Sequence, residues 1–133
     1  MIEARVRKAR RLLDLHRGLQ RLEEERVAGL RSRQAELVAL QEETVGALSG
    51  DGGLQGLLMP VVMRRLKSFS EESVRVATEL EWRSRALQTL AARKKVAERL
   101  SRAYEQQHIR IRADRELRDI IERITRPKDA SLP

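Results

Sequence analysis

From Val62 to Ile111 the chain repeats one spacing. Val62, Leu66, Phe69, Ser73, Val76, Leu80, Arg83, Leu87, Leu90, Lys94, Ala97, Ser101, Tyr104, His108 and Ile111 follow one another at alternating steps of four and three, with no proline among them. That alternation is the seam of a helix that pairs lengthwise with another helix. A helix with one such stripe gains little from standing alone, because most helical stability in proteins comes from packing the stripe against a neighbour. The spacing therefore demands a partner helix, and the first half of the chain offers one. Leu12, Leu15, Leu19 and Leu22 step by three, four and three. The steps then run through Arg26 to Leu30, two fours in succession, before Arg33, Leu37, Leu40 and Thr44. Two consecutive fours predict a stutter that locally unwinds the supercoil.

Between the halves lies LSGDGGLQG, Leu48 to Gly56, the one glycine-rich passage. It lacks what a phosphate loop requires. A Walker loop places Lys and then Ser or Thr after its last glycine, whereas Leu57 and Leu58 follow Gly56. A dinucleotide loop needs glycine at its first, third and sixth positions after a buried strand; counted from Gly50 the sixth position is Gln55, and Gln41 to Leu48 does not read as a strand. Five of the seven glycines fall between Gly46 and Gly56, and Pro60 follows. Glycine past a helix end and proline in the next first turn mark a reversal of the chain.

The expectation is thus an all-α, antiparallel two-helix coiled-coil hairpin whose second helix is longer than the first. It comprises a helix from about residue 3 to 48, a turn over 49–60, a helix from about 61 to 126, and a flexible tail over 127–133. At about 1.5 Å per residue the helices would measure roughly 70 and 100 Å. Ser68 or Ser70, each with a glutamate near three residues on, could start a helix by capping, but Leu66 and Phe69 share the seam and favour continuity from Pro60. Composition agrees: three aromatic residues (Phe69, Trp82, Tyr104), 36% charged residues and an apolar fraction dominated by Leu, Val, Ala and Ile belong to long helices. A monomeric hairpin and a dimer made by opening the turn are both compatible with the pattern.

Catalytic constellations are not visible. His16 and His108 sit in different helices at seam-like positions, with no HExxH pair, and read as seam or surface residues. Glu23-Glu24-Glu25 and Glu42-Glu43 read as solvated helix faces, because adjacent helical residues point in different directions. Trp82 reads as peripheral packing or an exposed partner contact. Cysteine is absent, which excludes disulfides and thiolate metal sites. No cofactor or metal is expected. No run of about 18 apolar residues is present, so no membrane-spanning helix is expected. The basic, amphipathic start raises the question of a mitochondrial presequence, and Glu3, Asp14 and the lack of Ser or Thr in that stretch argue against one.

Charge is unevenly placed. The chain carries +8 overall. Residues 1–22 hold seven Lys/Arg against two Asp/Glu, residues 23–82 hold seven against eleven, and residues 93–126 hold eleven against six. A hairpin would gather both basic ends at one tip. Such a tip can bind phosphates, but single-strand binding also uses aromatic platforms, and Tyr104 is the one aromatic in the basic ends. A basic zipper would need a clean zipper beside its base-reading region. A surface-lying membrane helix would need large one-sided apolar anchors, and residues 1–22 fit that only weakly. A basic helical nucleic-acid-binding or general scaffold protein is the alternative kept.

A basic first helix, a short turn and a longer second helix ending in ARKKVAERLSRAYEQQHIRIRADRELRDIIER (Ala92 to Arg123) resembles the FliJ/YscO family, the small coiled-coil stalk proteins of flagellar and virulence type III export machines. Lys94-Lys95 ahead of Leu100 and Tyr104, and the Arg/Glu run from Arg110 to Arg123, carry the likeness. The resemblance implies a non-catalytic stalk that inserts its paired termini into a hexameric export ATPase and links it to a membrane export-gate protein. Secretion chaperones are further candidate partners, and the implied location is cytoplasmic, at the membrane base of the export apparatus. If the termini enter such a ring, its contacts are expected from Arg5, Arg7, Lys8, Arg10 and Arg11 on the first helix. On the second they are expected from Arg110, Arg112, Arg115 and Arg118.

Overall fold

The computed structural model describes residues 1–49 and 55–126. They form two helices, α1 over Ile2–Ser49 and α2 over Gln55–Thr125. The helices pack on each other as an all-α helical hairpin with the longer helix second. Nothing in α1 interrupts it, since its residues are mostly good helix formers and none is proline. Its first turn closes with the Arg5 amide donating to the Met1 carbonyl at 3.3 Å, and Glu3 sits where the helix dipole favours an acid. Its last turn is satisfied in part by side chains: the Ser49 hydroxyl donates to the Gly46 carbonyl at 2.9 Å. At the far end of α2, the Thr125 hydroxyl donates to the Ile121 carbonyl at 2.8 Å. The helix stops there because Arg126 precedes a proline and is driven from the helical region.

One boundary differs from expectation. The turn expected over 49–60 is shorter, because α2 already begins at Gln55 and holds Pro60 within it. As the sixth residue of the helix, Pro60 removes only the hydrogen bond its amide would make to the Gly56 carbonyl, while the amides of the first four residues have no helical partner anyway. Gly46 is inside α1, which ends at Ser49, close to the expected end at 48. The core of the glycine-rich passage and the expected flexible tail over 127–133 lie outside the described residues.

The chain divides into two units, residues 18–91 and residues 1–17 with 92–133. In the first unit, Val27, Leu37 and Val76 are buried, and Leu30, Leu66, Phe69, Leu80, Leu87 and Leu90 are half-buried. Ion pairs fix its register. The Arg33 guanidinium grips both carboxylate oxygens of Glu72 at 2.8 and 3.0 Å and also donates to Glu36. Those bonds hold the Glu72 carboxyl below its ordinary range. Glu23, expected on a solvated face, is instead buried and meets Arg83 at 3.2 Å. Arg83 also donates to Glu79 at 2.9 Å, and that bond first, then the one to Glu23, raises its pKa. The pairs 23–83 and 33–72 run in opposite chain directions, so the helices are antiparallel here. In the second unit Val6, Ala9, Leu13, Ala97 and Ser101 are buried, and Arg10 donates to Glu105 at 2.8 Å.

On α2 the expected seam residues from Val62 to Ile111 are all buried or half-buried. On α1 the expected seam fails from Leu12 to Arg26, all exposed, and Gln34 rather than Arg33 lies on the observed line. Leu12, Leu15, Leu19 and Leu22 remain 40, 58, 40 and 45% exposed. The line that faces α2 is Val6, Ala9, Leu13, His16, Gln20, Glu23, Val27, Leu30, Gln34 and Leu37. It alternates three and four throughout, so the predicted stutter is absent. The reason lies in the partner helix, whose seam keeps unbroken register. A matching seam on α1 must also stay in phase, and the leucine line would have forced a local unwinding. The phase-keeping line wins although it is poorer in leucine.

Candidate docking surface at the basic termini

The unit formed by residues 1–17 and 92–133 carries, by sequence, eighteen Lys/Arg against nine Asp/Glu, a net charge of +9. The other unit holds ten against eleven, a net charge of −1. Folding thus brings the two basic stretches of sequence into one body. Every residue expected to contact a partner lies in it, and Arg5, Arg7, Lys8, Arg10, Arg11, Arg110, Arg112, Arg115 and Arg118 are all exposed.

Their pairing separates them. Arg10 is committed to Glu105. Among the described residues, the other ion pairs of this unit are Arg17 with Asp14 at 3.9 Å and Arg102 with Glu98 at 4.0 Å. None of the remaining eight expected contact residues lies within 4 Å of a carboxylate in them. In the other unit the acids at 23, 36, 72, 79 and 81 each meet an arginine. The basic unit therefore presents charge that the hairpin does not itself neutralise.

These cations do not form one flat patch. At about 100° per residue, Arg5, Arg7, Lys8, Arg10 and Arg11 are distributed around α1 outside the seam. Arg112, Arg115 and Arg118 share an arc of about 120° on α2, with Arg110 outside it. Arg112 and Arg115 border a shallow hollow with Glu3, His108, Glu116 and Asp119, so part of the surface mixes signs.

His16 and His108 are half-buried on the seam lines of their helices, and their Nδ1 atoms make no hydrogen bond within the protein. Among the described residues no cluster of three or more His, Cys, Asp or Glu could hold a metal ion, and no helix is long and apolar enough to cross a membrane. Trp82 is exposed, with the Arg83 guanidinium 4.8 Å from its ring centre. Sequence reasoning overlooked a further feature of the basic unit. Leu117, Ile120, Ile121 and Ile124 are 56, 50, 50 and 77% exposed. Their spacing of i, i+3, i+4 and i+7 was a readable signal, masked by the dense charge around it.

No protein-family model matches the chain, and no curated protein or solved structure is significantly similar to it.

Proposed function

We propose that this chain is a non-catalytic coiled-coil stalk of a type III protein export apparatus, docking its basic termini into a hexameric export ATPase and coupling that enzyme to the membrane export gate. The observation that carries the reading is the set of eight exposed cations without a carboxylate partner, spread around both helices of one unit. An acidic ring channel would attract such a unit end-first, because complementary charge steers encounter and fixes orientation. The other unit, near neutrality by sequence, would stay outside the ring. Its place would be the cytoplasmic base of the export apparatus.

The test is charge reversal. Arg110→Glu, Arg112→Glu and Arg115→Glu together should leave helicity nearly unchanged, because exposed charges contribute about 0–1 kcal/mol each. Co-purification with the export ATPase of the host and the change in ATP turnover should both be lost. The matched control reverses Glu25, Glu42 and Glu43 to Lys, all exposed; Glu23 is unsuitable because it is buried against Arg83. Equal binding by both triple variants would remove the basic unit as the docking end. Tight DNA or RNA binding that collapses with salt, without any effect on the ATPase, would favour the nucleic-acid reading instead.

A further inference from the structure

The seam line of α2 changes character after Ile111. Continued at steps of four and three, it reads Arg115, Arg118, Glu122 and Thr125, and every residue from Arg112 to Arg126 is exposed. The apolar residues move to another line, Leu117, Ile120, Ile121 and Ile124, all at least half exposed. At about 100° per residue, Leu117 and Ile124 stand roughly opposite His108 on the helix. So α2 carries two apolar lines in succession, one covered by α1 and one covered by nothing among the described residues. Isoleucine is a poorer helix former than leucine or alanine, so three exposed isoleucines within five residues gain nothing from helix propensity. Packing against another surface would use them.

Charge selects the occupant. Around the uncovered line, residues 113–126 hold four Arg (Arg115, Arg118, Arg123, Arg126) against four acids (Asp114, Glu116, Asp119, Glu122). This stretch is neutral inside a unit of +9, so a second copy can approach it without net local repulsion. The hairpin also shows how antiparallel helices pair at their edges. Arg33 and Glu72, each one residue ahead of a seam residue (Gln34 and Ser73), meet at 2.8 Å. On the uncovered line the equivalent positions are Glu116, ahead of Leu117, and Arg123, ahead of Ile124. If two copies align antiparallel with Leu117 against Ile120 and Ala113 against Ile124, Glu116 of each faces Arg123 of the other. The two-fold axis makes that pair twice.

We propose that the uncovered line Leu117–Ile120–Ile121–Ile124 is a self-association surface, on which the α2 ends of two copies pair antiparallel with Glu116 facing Arg123. This does not depend on the stalk reading, and its test needs no ATPase, so either can fail without the other. The contact spans only about a dozen residues per copy, well below a standard stable interface, so the dimer is reversible and concentration-dependent.

Sedimentation velocity of the full chain over a concentration series reads it directly. The wild type should shift from monomer to dimer as concentration rises. Ile120→Asp should remain monomeric with unchanged circular dichroism, since the site is already exposed. Glu116→Arg should raise the dissociation constant about tenfold or more, because like charges then meet at both ends. The double variant Glu116→Arg, Arg123→Glu should restore it, and reversal of outward-facing Glu122 should leave it unchanged. A wild-type chain that stays monomeric throughout overturns the proposal, as does a dimer indifferent to Ile120→Asp. A dimer that the charge swap fails to rescue overturns the antiparallel register.

Discussion

Leu12 and Leu13 are neighbours in the sequence and differ by about 100° on the helix, and that angle decides what each contributes. Leu13 is buried at 8% exposure, while Leu12 keeps two-fifths of its surface in solvent. Leu13→Ala should lower stability by about 2–3 kcal/mol, from lost transfer energy and an unfilled cavity. Leu12→Ala should cost less than about 1 kcal/mol, since the surface it buries is smaller. Denaturant titration of the two variants checks the register of α1, and the reverse order would restore the leucine seam. Glu23 follows the same geometry. It sits on the line facing α2, so it is buried, and it is tolerated because Arg83 and Arg26 lie within 3.2 and 3.5 Å of its carboxylate. Removing one member of such a buried pair leaves the other charge uncompensated, so it costs stability even where the intact pair adds little.

At the scale of the element, α1 holds features that its own propensities do not favour. Gly18 and Gly29 lie within the helix, have ordinary backbone angles, and would meet nothing within 4 Å if a Cβ were added. Neither is needed for a turn or a close approach. Gly18→Ala and Gly29→Ala should each stabilise the hairpin by about 0.5–1 kcal/mol, through the entropy glycine costs in a helix interior. The gains should add in the double variant, since the sites are far apart. Thermal unfolding followed by circular dichroism reads both, and a loss in either variant would mean that the glycine makes room for something the isolated chain lacks. Pro60 belongs to the same scale. Proline read as the start of α2 is a sound rule, yet one more turn of helix forms ahead of it, because Pro60 forgoes a single hydrogen bond near the helix start.

For the whole molecule, the concentration of like charge in one unit works against folding. Arg7 and Arg11 are one helical turn apart, and like charges at that spacing destabilise a helix by about 0.2–0.5 kcal/mol. Arg11→Glu turns that repulsion into attraction and should raise stability by about 0.5 kcal/mol, measured by chemical denaturation. In the proposed stalk the same change should weaken binding to the ATPase. A stabilising variant that binds worse would identify Arg11 as a residue whose charge serves the contact; one that binds unchanged would leave it a solvated surface residue.

Much of this protein was legible from spacing alone. The alternation of fours and threes from Val62 to Ile111, and a single glycine-rich break, determined two long helices folded on each other, because local periodicity and turn chemistry are properties of short stretches. The seam of α2 was readable for the same reason. The seam of α1 was not: Leu12 to Leu22 and Val6 to Glu23 are both plausible helical stripes, and hydrophobicity favoured the one that stays exposed. Choosing between them requires the partner helix, whose unbroken register and ion pairs at Arg83 and Glu72 set the phase of α1. Likewise the sequence placed basic residues at both ends, while only the pairing of α1 with α2 decided that Arg10 is neutralised by Glu105 and that Arg5, Arg7 and Arg112 are not. Charge counts are additive along a chain, but which charges meet depends on distances that the tertiary structure alone supplies.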